Sequence, residues 1–366
     1  MSRREYQLAF ALMKGMTRPI AEQLLTILGD EEAFFNASDY ILAGLTGVKL
    51  NFASSEARQK ALETAQEEWR YLNAKNIRFV YFTDEDYPQR LLECEDAPLA
   101  LFYIGTLDFE QANCLSVVGT RHATRQGIIF TENLISDLAS KVDNLVIISG
   151  LAYGIDITAH RAALDNNITT LAVVAHGLST IYPAVHRPDA ARIVKSHGAI
   201  ITEYPHEAPV HRSNFLARNR IVAGLADGVL VVESSEKGGA LVTARIAMAY
   251  NRDVMAVPGR PSDEFSRGCN SLIRRNMAGL VTSADDIIQQ LGWESKSDVS
   301  PQPALNISLN DEEQKILNYV RSCGEASLNK MSIELNLPVS RLLPALVNLE
   351  FNGFLLAAPG SRYIPV

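Results

Sequence analysis

The sequence predicts an α/β protein whose core is a mostly parallel β-sheet, with a helical region before the core and a small helical module after it. Between residues 117 and 280, short apolar runs repeatedly end in a glycine or small-residue loop that opens a helix. Continuous apolar runs of this length are typical of strands buried on both faces of a parallel sheet. The apolar residues on either side of this region follow a helical spacing instead.

The composition is that of a globular protein with an acidic balance. The chain has 366 residues, enough for two or three domains, and 47% of them are hydrophobic. Its formal charge is −8, but Arg and His are concentrated in the middle of the chain, which favours a focused anion site. No stretch approaches the ~18 apolar residues of a membrane span, and no signal peptide is expected. Four cysteines without C-x-x-C spacing argue against a zinc site and for reduced thiols in the cytoplasm.

Residues 1–75 are predicted to form a helical domain. Apolar residues recur at helical spacing until Gly29 ends the first long run. The segments 14–24 and 45–48 are faintly similar to the glycine turns of helix-hairpin-helix motifs, whose backbone amides hold a DNA phosphate. A purely structural helical cap is the alternative interpretation.

Residues 76–292 are predicted to form a Rossmann-like domain. Two strands are expected first, at 76–82 and 99–105, and five parallel strands after them, at 116–118, 145–149, 170–174, 229–233 and 254–258. Glycine at the carboxyl end of such a strand lets backbone amides approach a ligand, and the next helix adds a partial positive charge there. Because open parallel sheets bind ligands outside these strand ends, we expect a phosphate-binding surface at this edge.

Three segments at this edge carry the predicted phosphate contacts. Gly119, Thr120 and Arg121 follow a buried strand, so that amides and a guanidinium fork can meet phosphate oxygens. The other two segments are the basic start of an apolar helix and a glycine loop entering a helix; their candidates are Arg218, Asn219 and Arg220, and Lys237, Gly238, Gly239 and Thr243. An arginine that simply leaves the sheet edge for solvent is the alternative for Arg121.

A further loop is predicted to approach the ligand through Ser149, Gly150 and Gly154. Asp156 and His160 follow this loop and share a helix face at i, i+4. As metal ligands the pair would need a third partner, and the sequence offers none. We therefore expect both side chains to support the loop through hydrogen bonds, and we expect no metal.

An aromatic residue with two potential cations is the last candidate group. Tyr182 is followed closely by His186 and Arg187. Aromatic faces stack on unpaired bases, which suits single-stranded nucleic acid. A tyrosine buried in the core is the competing interpretation.

Residues 293–308, rich in Ser, Pro, Asn and Gln, are predicted to be a linker, and residues 309–366 a winged-helix domain. Helices are expected at 311–321, 328–335 and 341–352, the last opened by Ser340, and a hairpin with Gly353 and Pro359 follows. The third helix of a winged helix usually lies in a DNA groove. Here it offers only Arg341 as a base, so duplex DNA and a protein both remain open as partners.

Motifs of the common catalytic classes are absent from the sequence. There is no Gly-Lys pair, which excludes a P-loop ATPase, and there is no G-x-G-x-x-G or G-x-S-x-G. No clustered carboxylates indicate a two-metal nuclease. We therefore expect a binding protein rather than an enzyme, and one that needs no cofactor.

Taken together, these motifs resemble the DNA-processing protein A family over nearly the whole chain. In order they are 118–121, 149–160, 182–183, 203–205, 215–221, 238–243, 257–259, 268–273 and 280–281. The resemblance implies a Rossmann-like core that binds single-stranded DNA, forms a homodimer and helps to load the RecA recombinase during natural transformation. It also implies an N-terminal sterile-alpha-motif-like domain and a C-terminal winged helix.

One position departs from the family's pattern, which commonly reads Tyr-Pro-x-x-Asn. His186 stands at the Asn position, so binding there would become sensitive to pH.

Two other classes of protein remain as alternatives. A nucleotide phosphoribohydrolase has a similar Gly-Gly loop, but its acidic catalytic residue falls where this chain has Arg245, Ile246 and Ala247. A winged-helix transcription regulator is the other.

Overall fold

The computed structural model describes residues 1–45, 50–296, 309–352, 354–358 and 360–365. The chain divides into two compact units, Met1–Asp298 and Val299–Val366. Most of the turn expected at 45–48, most of the predicted linker, Gly353 and Pro359 lie outside the described residues. Among the helices that are described, none is both long enough and apolar enough to cross a membrane.

Five helices occupy the start of the chain: α1 (Arg3–Leu12), α2 (Arg18–Leu28), α3 (Glu31–Asn36), α4 (Asp39–Ala43) and α5 (Ser55–Lys75). A side-chain cap marks the start of each of these helices except α2, as at α1, where Ser2 and Glu5 form a capping box. Gly29 ends α2 with a φ of +97°, which glycine adopts without strain. These helices share one hydrophobic core with the sheet that follows. The domain boundary at residue 75 therefore lies inside the first compact unit and stays a prediction.

A nine-stranded sheet forms the centre of the first unit. Its strands are β1 (Arg78–Tyr81), β2 (Ala100–Gly105), β3 (Asn113–Val118), β4 (Leu145–Ser149), β5 (Thr169–Val173), β6 (Ala199–Thr202), β7 (Gly228–Val231), β8 (Asp253–Ala256) and β9 (Gly279–Leu280). Their order is β1-β2-β6-β5-β4-β3-β7-β8-β9. β3 to β9 pair in parallel, whereas β1 and β2 pair antiparallel. The predicted fold class, α/β with a mostly parallel sheet, is confirmed.

Two strands of this sheet were not predicted from the sequence. β6 has four residues and β9 has two. Runs this short give no usable periodicity, and only their neighbours in the sheet define them as strands.

Helices cover both faces of the sheet. They are α6 (Gln89–Leu92), α7 (Arg125–Lys141), α8 (Ile155–Asp165), α9 (Arg187–Lys195), α10 (Arg212–Gly224), α11 (Ala240–Ala249), α12 (Arg267–Arg274) and α13 (Ala284–Leu291). Leu115 and Val117 of β3 join the core beneath α7, α8 and α13, while Cys114 and Val118 join the core beneath α10 and α11. Both faces of the central strands are therefore buried, which explains their continuous apolar runs.

The second unit has its own small core. It contains α14 (Asp311–Cys323), β10 (Ala326–Ser327), α15 (Leu328–Glu334), α16 (Val339–Phe351), β11 (Leu355–Ala358) and β12 (Arg362–Pro365), with the strands ordered β10-β12-β11. α16 begins one residue before Ser340, and Pro338 rather than Ser340 precedes its first turn. Proline's fixed φ suits the start of a helix. The winged-helix assignment of this unit stays a prediction.

Candidate nucleic-acid interface

The strand order of the sheet reverses direction at β3, because the chain continues to β4 on one side of β3 and returns to β7 on its other side. This position is the topological switch point of the sheet. Open α/β sheets bind ligands in the crevice outside the carboxyl ends of the strands at such a point. A cavity of about 570 Å³ lies there, next to the end of β3 and the loop that follows β7. We call this cavity the groove.

Nine of the sixteen predicted binding residues line the groove: Gly119, Thr120, Arg121, Arg218, Asn219, Lys237, Gly238, Gly239 and Thr243. They come from the three segments that the sequence marked as phosphate contacts. The other seven do not line it: Ser149, Gly150, Gly154, Tyr182, His186, Arg187 and Arg220. The fold thus brings the three segments together in the groove, whereas the remaining candidates lie outside its lining.

One wall of the groove is the start of α11. Gly239 precedes the first turn of this ten-residue helix, and no side chain caps it. A Cβ atom at Gly239 would meet nothing within 4 Å, so the backbone there is open to an approaching group. Lys237 is exposed beside it. The amides of Leu241 and Val242 already donate to the carbonyl oxygens of Gly238 and Gly239. The open backbone at Gly239, the helix dipole and a lysine are therefore the features that favour an anion here.

A cation and two aromatic rings form a row at the groove. The guanidinium carbon of Arg121 lies 5.0 Å from the centroid of the Phe215 ring. The ring of Tyr182 also packs against Phe215, edge-on to it and with the two ring centroids 5.9 Å apart. Arg121 and Tyr182 are exposed, and among the described residues Arg121 has no carboxylate within ion-pair distance. Its charge is therefore available to a ligand.

Phe215 and Arg212 line the groove but were not among the predicted site residues. Both lie on α10, where positions 212, 215 and 219 fall on one helical face. That i, i+3, i+7 spacing next to Asn219 was the available signal. The sequence alone does not show which face of α10 is exposed, so this spacing could not be assigned to the site.

Arg218 has a different role from the one that the sequence suggested. Its side chain is 4% exposed, and it donates hydrogen bonds to the carbonyl oxygens of Gly150 and Val173. A Cβ atom at Gly150 would lie 2.1 Å from this guanidinium, so glycine is required there. Arg218 therefore forms the floor of the groove and joins the loop after β4 to the end of β5, and it is not a free phosphate anchor.

Two other candidates are likewise engaged within the protein. The buried Ser149 hydroxyl donates to the carbonyl of Val117 at 2.6 Å. His186 is 3% exposed, and its Nδ1 lies 2.9 Å from the carbonyl oxygen of Leu151. Neither side chain is exposed enough to meet DNA without rearrangement.

Arg220 points away from the groove. It pairs with the buried carboxylate of Glu203 and donates to the carbonyl of Asp96 at 2.6 Å. Gly154, with φ +75°, lets α8 approach the loop after β3, because a Cβ atom there would lie 2.2 Å from the carbonyl oxygen of Thr120. Both residues shape the site without facing it.

Asp156 and His160 lie at the base of the loop that follows β4. Burial raises the pKa of the Asp156 carboxyl, whereas the Arg218 guanidinium and the Ala152 amide act in the opposite direction. His160 lies 2.7 Å from the Thr170 hydroxyl through Nδ1, and burial lowers its pKa to about 3, so its ring is neutral. No group of three His, Cys, Asp or Glu side chains suited to a metal ion occurs within the described ranges.

Comparison with known proteins gives a consistent result. The family described as DNA recombination-mediator protein A matches residues 78–292. Protein Smf of Escherichia coli is 34% identical over 311 residues, covering 80% of this chain and 78% of that protein.

Two solved structures are also similar. DNA processing protein A (DprA) from Streptococcus pneumoniae superposes with a TM-score of 0.65 and 30% identity, covering 79% of this chain and 98% of that one. DNA processing protein A from Helicobacter pylori gives a TM-score of 0.52 and 26% identity, covering 58% and 95%. The subject of the second structure is that protein's single-stranded DNA binding mode.

Proposed function

The chain belongs to the DNA recombination-mediator protein A family, and from this premise we propose that the groove binds single-stranded DNA. The observation that carries the proposal is the row of Arg121, Phe215 and Tyr182 beside the open start of α11. It combines groups for phosphate with groups for bases, which is how proteins bind single strands. The relative from Helicobacter pylori, with its single-stranded DNA binding mode, supports the same substrate.

Phosphates are assigned to the basic part of the groove. Arg121 offers a planar fork to phosphate oxygens, and Lys237 adds a point charge at the start of α11. The open backbone at Gly239 completes this site. The Gly238 amide donates to the carbonyl oxygen of Ser235 and so shapes the loop. Gly119, Thr120 and Asn219 border the same space.

Bases are assigned to the two aromatic rings. Tyr182 is 43% exposed, and Phe215 contacts both Tyr182 and Arg121. A base stacked on an aromatic ring contributes about 1–3 kcal/mol. In a duplex the flat faces of the bases are already stacked on one another, so this contribution is available only to a single strand.

A binding titration tests the proposal. Labelled single-stranded and duplex DNA of equal length are compared by fluorescence anisotropy at several salt concentrations. We expect preference for the single strand and a steep loss of affinity with salt, because neutralised phosphates release counterions. Equal affinity for both forms at moderate salt contradicts the proposal.

We further propose that the protein works in the cytoplasm as a homodimer that helps to load the RecA recombinase, without hydrolysing nucleotides. The edge of the sheet supports the dimer: β9 is a terminal strand, Leu280 on it is 51% exposed, and Met248 nearby is 39% exposed. A two-residue strand offers little backbone for pairing, but exposed apolar side chains at one place favour contact with another chain.

Two measurements test these partners. Leu280→Asp should convert a dimer into a monomer in sedimentation velocity, whereas Ile27→Asp, at an exposed apolar position on α2, should not. The wild-type protein should shorten the lag of RecA assembly on single-stranded DNA and release no phosphate from ATP by itself. An unchanged lag contradicts the loading role, and phosphate release contradicts the non-catalytic one.

A further inference from the structure

The helices α7 and α11 follow the two neighbouring strands β3 and β7, and of these two helices only α11 has an open start. α11 is open at Gly239, as described above. The start of α7, which follows the loop of Arg121, is occupied by the carboxylate of Glu233. Its Oε2 accepts the Thr124 amide at 2.9 Å, and its Oε1 accepts the Thr124 hydroxyl at 2.5 Å.

The chain is shaped to hold the carboxylate in this position. A Cβ atom at Gly127, in the first turn of α7, would lie 2.4 Å from Cδ of Glu233. Only glycine lets the carboxylate lie against the helix there. The Thr124 hydroxyl also accepts the Gly127 amide at 3.0 Å, so the same residue joins the carboxylate to the first turn.

Glu233 lies between the groove and a second cavity. Its carbonyl oxygen accepts the Thr120 amide at 2.8 Å, which ties it to the groove side. Its side chain lines a cavity of about 640 Å³ together with Thr124 and Gly127. Within the described ranges no Lys, Arg or His lies within ion-pair distance of this carboxylate. The amide, the hydroxyl and the helix dipole are the groups that stabilise its charge.

We propose that Glu233 is an internal substitute for a phosphate: it fills the anion site at the start of α7 and keeps the phosphates of DNA on the side of Arg121 and α11. In a doubly wound sheet the helix at the switch point is where a nucleotide phosphate would bind. With that site filled from within, the open anion site beside it is the one at α11. The part of this proposal that concerns DNA rests on the proposed function.

Rescue by a small anion tests whether the carboxylate occupies an anion site. The full chain is compared with Glu233→Ala and Glu233→Gln by thermal unfolding in sodium acetate and in sodium chloride of equal ionic strength. Glu233→Ala leaves room for acetate, so acetate should raise its melting temperature in a saturable way. Glu233→Gln fills the same space without charge and should not respond. The control is Glu264→Ala, which removes a carboxylate of the same cavity and should behave as wild type.

Acetate and chloride acting alike on Glu233→Ala would overturn the proposal, and so would a specific acetate response of the wild type. If Glu233→Ala does not fold in chloride, its failure to fold in acetate as well would count against the proposal in the same way. None of these outcomes depends on DNA binding.

A second arm tests the exclusion of DNA phosphates. In Glu233→Ala, the slope of log affinity for single-stranded DNA against log salt should steepen by ~0.7, the value for one further phosphate. Glu233→Gln should keep the wild-type slope. An unchanged slope in Glu233→Ala overturns the exclusion, whereas absence of any binding by the wild type refutes the proposed function and leaves the acetate result standing.

Discussion

Arg121 and Arg218 both line the groove and were both predicted from the sequence to bind phosphate, but they differ in burial. Arg121 is exposed above a phenylalanine ring, and its charge is unpaired among the described residues. Arg218 is 4% exposed and donates to two backbone carbonyls. Both of these hydrogen bonds come from Nη1, and burial keeps the rest of the Arg218 guanidinium from extending toward a ligand as an exposed arginine can. The two residues should therefore respond differently to substitution.

Arg121→Ala should weaken binding and leave the fold intact. Loss of one charge-assisted phosphate contact is expected to cost about 1.5–3 kcal/mol of binding free energy. The salt slope should become shallower by ~0.7. Anisotropy titrations and melting temperature are measured on the same protein, with Arg274→Ala, an exposed arginine outside the groove, as the control. A fall in melting temperature together with affinity would instead indicate a structural role.

Arg218→Met should lower stability first. Methionine keeps much of the volume but removes the donors, so the buried carbonyls of Gly150 and Val173 lose their partner. An unsatisfied buried polar group costs about 1–3 kcal/mol. Urea unfolding measures the loss of unfolding free energy. If stability is unchanged while binding disappears, Arg218 contacts the ligand and its assignment to the floor of the groove is wrong.

At the carboxyl edge of the sheet, the starts of α7 and α11 differ in whether an anion can approach them. α7 is closed by Thr124 and Glu233, whereas α11 begins at an uncapped glycine. Natural helices gain stability from a polar cap. An uncapped start therefore leaves the positive end of the helix dipole open to a ligand at some expense of helix stability. A substitution there should move stability and binding in opposite directions.

Gly239→Asp should make the protein more stable and a weaker binder. The backbone φ of Gly239 is −62° and its Cβ position is open, so the new side chain fits without strain. A carboxylate at the helix start contributes about 0.3–1 kcal/mol through the dipole, but it repels a phosphate. Urea unfolding and anisotropy measure the two effects, and the neutral Gly239→Asn is the matched control. Unchanged affinity in Gly239→Asp would remove α11 from the binding site.

For the whole molecule, the division into two compact units raises the question of which unit carries affinity. The exposed face of α16 in the second unit carries Val339, Leu343, Val347 and Phe351, and Arg341 is the only base on that helix. Affinity for DNA depends largely on cations placed against phosphates. The groove, with Arg121 and Lys237, is therefore expected to provide most of the binding.

A chain of residues 1–298 should keep most of its affinity for single-stranded DNA. The first unit contains the groove and its own hydrophobic core, so it should fold without the second. Circular dichroism checks the fold, and anisotropy compares the affinity with that of the full chain. A loss of tenfold or more, about 1.4 kcal/mol, would make the second unit a primary DNA site.

The sequence was sufficient for the α/β class, for five of the seven parallel strands and for the three segments that meet in the groove. Buried strands and glycine loops are local patterns, and the carboxyl ends of parallel strands always share an edge. Gly119, Gly238 and Gly239 could therefore be assigned to one surface before their positions were known.

Only the tertiary structure decided which side chains of that surface are free. Arg121 and Arg218 are both arginines in basic, glycine-containing surroundings. Arg121 is exposed, whereas Arg218 fills a buried space between the loop after β4 and the end of β5. Phe215 became part of the site because α10 turns that face toward Arg121, and Glu233 reached α7 across more than a hundred residues of chain. Exposure and long-range partners depend on packing, because the same residue type is satisfied by water in one place and by a backbone carbonyl in another.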